Sequence, residues 1–433
     1  MFLIHKGADL NAKDSNGATP ISCAIALENS YLVQTLIDLG AKFKEPGYHE
    51  AIFSSIKNKS STRIFEILMQ NGLDINQKYE HSSNHFTLLH LAVSVRNLNV
   101  IKILIGNGVN INEKNDKFQT PLHKIFDDKL SGKPQPKTLQ ELIRTEIAKI
   151  LITNGADIES KNSKKYTPLH LASQHGFSEV AKLLIEKGAK VNAKTNIEAT
   201  PLHLSVAFNN KDITEMLLQN GAIMEETDNS GSTPFQIALI NERREMVKFL
   251  IDKGAQVQSK VKAIDGLTSP LHITILYEWK DIAELLLQMG VDPNESDQYG
   301  NPPLHNAVKI KDMELIELLV NYGADLCIKN DRNQTVLDLA KEKGSNQIVD
   351  FLVKKIIEIA EIENGVNPPE AKKFKLEDCV ICCTPRDEIF VFHPCGHAKT
   401  CKSCTIKILY MSDISSNCPV CREKVTSYLK VFV

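Results

Sequence analysis

A spacing of 33 residues runs through most of this chain and leaves few folds open to it. Gly155, Gly188, Gly221 and Gly254 stand 33 residues apart, and the same 33 separates Gly7 from Gly40 and Gly290 from Gly323. The phrase TPLH recurs at Thr120, Thr167 and Thr200. Variants stand at Thr19 (TPIS), Thr87 (TLLH), Thr233 (TPFQ), Ser269 (SPLH), Pro302 (PPLH) and Thr335 (TVLD). A fixed period of this length is the signature of a repeat array, in which one supersecondary unit is copied and stacked.

The stretch YTPLHLASQHGFSEVAKLLIEKGAKVNAK, residues 166–194, predicts what one unit folds into. Thr167-Pro168 starts a helix, because proline is tolerated where no backbone donor is required. Leu169, Leu171 and Ala172 face inward, His175-Gly176 breaks the helix, and Val180, Leu183, Leu184 and Ile185 build a second one. Gly188 supplies the positive φ that ends it, and an extended finger follows. One such unit cannot bury its apolar faces alone, so neighbours must stack into a solenoid.

The residues G-x-TPLHxA through LLxxGAxxNxK resemble the ankyrin repeat family, over residues 1 to about 360. That resemblance implies helix-turn-helix units with β-hairpin fingers, about ten of them after a partial first one, that bind other proteins. Four departures stand out. The chain begins inside a repeat, with Phe2, Leu3 and Ile4 where a second helix belongs, which leaves either a start upstream or an improvised cap. Residues 45–72 lack the Thr-Pro opening. From Thr120 to Gly155 the chain runs 35 residues where 21 is usual, and the excess of 14, near 127–145, is expected to be a surface loop. An excess of three falls in the finger before Ser269.

His90, His123, His170, His203, His272 and His305 share one position of the repeat. A metal ladder is one reading, but a ring there is better explained as a hydrogen-bonding partner of the neighbouring finger. The array offers no phosphate-binding glycine loop and no nucleophile elbow. Charged finger residues such as Lys164 and Lys165, with Tyr166, or Glu225 and Glu226, either meet a partner or form a solvated edge.

Cysteine usage changes abruptly near the end. Eight of the ten cysteines lie between Cys379 and Cys421. No secretory signal is legible in MFLIHKGADL, so the chain reads as intracellular and cytoplasmic, where clustered thiols beside histidine favour metal over disulfides. No apolar run is long enough for a membrane span, and a net charge of −2 argues against a general nucleic-acid binder.

After Ala360 the segment EIENGVNPPEAKKFKLED ends the solenoid and forms a linker, 361–378. Then come Cys379-x2-Cys382, twelve residues, Cys395-x1-His397, three residues, Cys401-x2-Cys404, thirteen residues, and Cys418-x2-Cys421. Zinc takes four thiolate or imidazole ligands in a tetrahedron, so eight ligands mean two zinc ions. Cys383 duplicates a thiol beside Cys382, and His393 competes with His397. A segment this short has too little core to fold without metal.

A histidine in fourth place, one residue after a cysteine, resembles the RING finger family in its C3HC4 form. That resemblance implies interleaved sites: Cys379, Cys382, Cys401 and Cys404 on one ion, and Cys395, His397, Cys418 and Cys421 on the other, within a module at 379–422. It further implies a RING-type ubiquitin-protein ligase, whose partners are ubiquitin, a ubiquitin-conjugating enzyme and a substrate held by the repeats. Ile381, Pro419 and Val420 match the apolar groove that receives the conjugating enzyme. Arg422 matches the cation that hydrogen-bonds both that enzyme and ubiquitin.

The tail at 423–433 alternates apolar and polar residues through Val425, Leu429, Val431 and Val433, a strand pattern. It resembles the RING fingers of inhibitor-of-apoptosis proteins, which implies a homodimer and a conjugating-enzyme contact from Phe432; a strand closing its own domain is the alternative. A scaffold from another class remains open, in which the repeats sequester a partner and the zinc module only docks or dimerises.

Overall fold

The structure is a computed structural model that describes residues 7–15, 17–43, 49–58, 62–81, 84–127, 137–258, 261–263, 266–363, 389–393, 398–401 and 427–431. The chain divides into two compact units, Met1–Ile237 and Ala238–Val433. Helix pairs run through both. In the first unit they are α1 (Pro20–Ala26) with α2 (Ser30–Asp38), α3 (His49–Asn58) with α4 (Thr62–Gln70), and α5 (Leu88–Ser94) with α6 (Leu98–Gly106). There follow α7 (Pro121–Lys124) with α8 (Lys137–Thr153), α9 (Pro168–His175) with α10 (Ser178–Glu186), and α11 (Pro201–Ala207) with α12 (Lys211–Gln219). After α13 (Pro234–Ile240) and α14 (Arg244–Asp252), the second unit continues with α15 (Pro270–Leu276) and α16 (Lys280–Gln288). It goes on through α17 (Pro303–Ile310), α18 (Met313–Asn321), α19 (Val336–Glu342) and α20 (Asn346–Glu363).

The local reasons match the sequence pattern. Most first helices start from an extended residue, as at Thr167 with φ −87° and ψ 166°, and carry proline in the first turn; α5 and α19 start from an extended threonine without it. The second helix α10 ends on Gly188 at φ 87°, whose N–H reaches the Ile185 carbonyl at 2.9 Å while Ala189 N–H reaches Leu184 at 3.0 Å. These two bonds satisfy carbonyls that the helix leaves open, and only a residue free to adopt left-handed φ completes them cheaply. Leu169, Ala172, Val180 and Leu184 are buried as expected, whereas Leu171, Leu183 and Ile185 stay partly exposed. Fully burying one such aliphatic side chain contributes roughly 1.5–3 kcal/mol. The same positions are filled in each repeat, so the core is continuous along each unit.

Two departures keep the repeat plan. The unit without Thr-Pro still makes α3 and α4, because Ile52, Phe53 and Ile56 of one helix and Ile64, Phe65 and Leu68 of the other are buried. The lengthened finger before Ser269 forms a β-hairpin of β3 (Val261–Ala263) and β4 (Gly266–Thr268). The finger before Thr87 does likewise, pairing β1 (Tyr79–His81) with β2 (Asn84–Phe86).

One expectation is corrected. The excess between Thr120 and Gly155 is not a loop throughout: residues 137–145 are the first part of α8, a helix of 17 residues where most second helices have nine. After Pro136 the run KTLQELIRTEIAKILIT holds no Gly or Pro, so nothing interrupts the helix. Arg144 is its anchor. It is fully buried, donates from Nη1 to the Ile125 carbonyl, and lies 4.4 Å from the centre of the Phe177 ring.

Near the end a three-stranded antiparallel sheet is ordered β6-β5-β7, from β5 (Ile389–His393), β6 (Ala398–Cys401) and β7 (Ser427–Val431).

Candidate functional site

Two places carry chemistry, the finger edge of the array and the terminal sheet. At the finger edge, five of the six repeat histidines do two jobs, and His305 does one. His170 takes the Thr167 N–H on Nδ1 at 3.2 Å, with the Thr167 hydroxyl 2.8 Å away, and its Nε2 lies 3.2 Å from the Ala199 carbonyl. A carbonyl can only accept and a backbone N–H can only donate, so the ring is neutral with its proton on Nε2. The carbonyl belongs to the residue just before the N-cap of the next repeat's first helix. His90 to Gln119, His203 to Ser232, His272 to Asn301 and His305 to Gln334 repeat the link at an offset of 29 residues. His123 reaches Tyr166 at an offset of 43, so the extra segment is spliced out without disturbing the stack.

Burial holds the rings of His90, His123 and His170 down at about 4, against the opposite pull of the carbonyls they contact. His203 and His305 are lowered for the same reason. These are structural histidines tied to the next repeat, as the sequence reading of that position expects. Among the described residues no group of three or more His, Cys, Asp or Glu side chains is placed to hold a metal ion.

A second tie was missed by the sequence reading. Asn112 Oδ1 accepts the Asp157 N–H at 2.8 Å and its Nδ2 donates to Gly155 at 2.9 Å, and Asn192 does the same for Ile223 and Gly221. The signal was an asparagine four residues after the glycine of some GA and GV pairs, at Asn11, Asn112, Asn192 and Asn294.

In the terminal sheet, Cys401 closes β6, its backbone opposite Ile389 of β5, which on its other edge pairs with Val431 of β7. The tail strand expected from the alternation is therefore present and lies along β5 of its own chain. Cys395 and His397 fall in sequence between β5 and β6. Those two, with Cys379, Cys382, Cys404, Cys418 and Cys421, lie outside the described residues, as do Ile381, Pro419, Val420, Arg422 and Phe432. Seven thiols and one imidazole in four closely spaced pairs are a donor set that suits zinc.

Comparison with known proteins agrees with both halves. The family model described as Ankyrin repeats (3 copies) matches residues 140–195, 194–261 and 262–363, more than half of the chain, and that of the single Ankyrin repeat matches 84–116. The chain belongs to the ankyrin repeat family. A further family, Zinc finger, C3HC4 type (RING finger), matches residues 375–428.

Among curated proteins, ankyrin repeat and SOCS box protein 11 of Mus musculus is 37% identical over 79 residues, 18% of this chain and 24% of that protein. An ankyrin repeat protein of Fowlpox virus (strain NVSL) is 34% identical over 91 residues, 21% of each chain. Alpha-latroinsectotoxin-Lt1a of Latrodectus tredecimguttatus is 33% identical over 86 residues, 20% of this chain and 6% of the toxin. The chain thus spans between 6% and 24% of the length of these relatives. The crystal structure of the ankyrin repeat domain of Bcl-3 is 26% identical, covers 55% of this chain and 99% of that one, and superposes with a TM-score of 0.44. Among the described residues no helix is long and apolar enough to cross a membrane.

Proposed function

We propose that this protein is a RING-type ubiquitin-protein ligase working in the cytoplasm, in which the ankyrin repeats hold a substrate protein and the terminal module recruits a ubiquitin-loaded conjugating enzyme. The observation that carries the reading is the C3HC4 RING finger match at residues 375–428, on a chain whose other matched segments are ankyrin repeats. Cys379, Cys382, Cys401 and Cys404 would hold one zinc ion, and Cys395, His397, Cys418 and Cys421 the other. Zinc supplies no reacting group here; it holds a segment too small to fold by its own core.

The chain's own residues act by position. Ile381, Pro419 and Val420 form the apolar seat for the conjugating enzyme. Arg422 hydrogen-bonds both that enzyme and ubiquitin, a task for which a planar guanidinium with five donors is suited. Ubiquitin's thioester is thereby held in one reactive pose, which removes orientational entropy from the barrier. A substrate lysine amine attacks the thioester carbonyl; the C–N bond forms, the C–S bond breaks, and the sulfur leaves as the enzyme's thiol with the amine's proton. No covalent intermediate forms on this chain, consistent with an array whose sequence offers no nucleophile elbow.

The domain limits that go with this reading are an array at 1–360, a linker at 361–378, the RING finger at 379–422 and a tail at 423–433. Homodimerisation through the tail, with Phe432 reaching a partner's conjugating enzyme, is part of the proposal.

The test is a single-turnover assay following discharge of ubiquitin from a loaded conjugating enzyme to free lysine. Arg422→Ala is expected to slow discharge by about tenfold or more, equivalent to roughly 1.4 kcal/mol of lost transition-state stabilisation. A wild-type chain that never accelerates discharge leaves the zinc module as a docking piece of a scaffold.

A further inference from the structure

Three consecutive fingers in the first unit are built against local preference. The residue two places before Thr120, Thr167 and Thr200 has positive φ in each: 56° at Phe118, 59° at Lys165 and 58° at Glu198. Glycine fills the same place at Gly17 and Gly231. A side chain in the left-handed region strains the backbone, and such strain is retained where the side chain is needed. Nothing in the packing needs these three, since all are exposed, Phe118 by 57%. Burial does not explain an aromatic ring at a strained, solvated tip.

The tips form one edge. Ser163 N–H donates to the Lys117 carbonyl at 3.0 Å, and Asn196 N–H to the Lys164 carbonyl at 3.1 Å, so neighbouring tips are held in register. Along that edge stand the apolar side chains of Phe118 and Ile197, the latter 42% exposed, and the exposed cations Lys117, Lys161, Lys164 and Lys165. Four lysines outnumber the two acids there: Asp116 accepts from the ring and backbone N–H of His85, and Glu198 shares Lys194 with Glu226. Positive charge is thus left over, interleaved with apolar groups.

We propose that this edge, fingertips 116–118, 163–165 and 196–198, is where the array receives its protein substrate, and that the occupant is an extended acidic segment carrying aromatic or large aliphatic side chains. The inference rests on the reading of the repeats as the substrate-binding part. Charge complementarity selects the acidic partner, and the two apolar side chains select a peptide over a bare polyanion.

The experiment measures binding of a labelled random copolymer of glutamate and tyrosine to the full chain by fluorescence anisotropy, beside poly-glutamate and poly-uridylate. Wild type is expected to bind the copolymer more tightly than either polyanion. Lys164→Glu combined with Lys165→Glu is expected to weaken binding by about tenfold or more, and raised salt to weaken wild-type binding as well. Phe118→Gly separates binding from folding: glycine relieves the positive φ, so Tm should rise while affinity for the copolymer falls. Unchanged affinity in both variants overturns the assignment, and so does equal or tighter binding of poly-uridylate or poly-glutamate. Self-ubiquitination by these variants, which leave the zinc module untouched, reads out the ligase proposal separately.

Discussion

His305 has lost a partner that its counterparts keep. Its Nε2 reaches the Gln334 carbonyl at 3.1 Å like the others, but Pro302 stands where other repeats have Thr or Ser. Proline brings neither a backbone N–H nor a hydroxyl, and the Nδ1 of His305 is buried with no hydrogen-bond partner among the described residues. Pro302→Thr restores both donors at a residue already at φ −65° and ψ 161°, close to the dihedrals of Thr167. It should stabilise the protein by about 1 kcal/mol, the usual net worth of a recovered buried hydrogen bond. A urea titration measures this as a higher midpoint at unchanged slope; an unchanged midpoint means the orphaned nitrogen carries no penalty.

The other histidines set the pH dependence. His90, His123, His170 and His203 have their pKa lowered by burial, to about 4 for the first three. The unfolded chain takes up protons near 6.5, so between 6.5 and 4 it binds more protons than the folded one, and stability falls as pH falls through that window. The effect is of order 3 kcal/mol at most for each of these three rings. Urea midpoints should be flat above pH 7 and drop from pH 6.5 to 4.5, with a shallower drop in His170→Gln. Equal slopes in both proteins would mean that ring does not contribute.

At the scale of elements, α8 shows how an insertion is absorbed. Arg144 ties α8 to the carbonyl of Ile125, just after α7, and to the ring of Phe177, which also lies 6.0 Å from Phe126. Arg144→Ala removes a buried charge-assisted hydrogen bond and leaves that carbonyl without this donor. It should cost about 2–4 kcal/mol, by the measure of broken buried networks and emptied core volume. Arg144→Lys should recover little, because an ammonium cannot lie flat on a ring while donating sideways. Thermal unfolding of both variants checks this, and a loss below about 0.5 kcal/mol would make Arg144 a bystander.

The repeat helices were legible because their period and their Thr-Pro and Gly punctuation are local and redundant. The helical start of α8 was not, and although the resemblance implied hairpin fingers, it did not say that those at 79–86 and 261–268 would pair as strands. Pairing within a finger depends on contacts that a run of three residues does not encode. The inserted segment was read from its Gly and Pro residues alone, although the stretch after Pro136 has good helix formers. Arg144 could not have been singled out, since an arginine in an amphipathic helix normally faces water.

On the scale of the whole molecule, an interaction array and a zinc module share one chain with different sources of order. Within each unit the repeats are held by an apolar core and by histidine and asparagine ties between neighbours. The terminal module was legible as cysteine and histidine spacing, from which the proposed donor set is taken, while the assignment of donors to ions came from resemblance. Within that module the described strands add that β7 lies along β5, so the tail strand contributes to its own sheet. A dimer is therefore better tested by Phe432→Ala than by removing the strand.

The most direct measurement is self-ubiquitination by the purified full-length chain, with activating enzyme, a panel of conjugating enzymes and ATP, comparing wild type with Val420→Glu. The account predicts ubiquitin ladders from wild type, and none from a Val420→Glu chain that keeps its zinc content and melting profile. Ladders of equal strength from both would contradict the proposed seat for the conjugating enzyme. Their absence from a wild-type chain carrying two zinc ions would contradict the ligase itself.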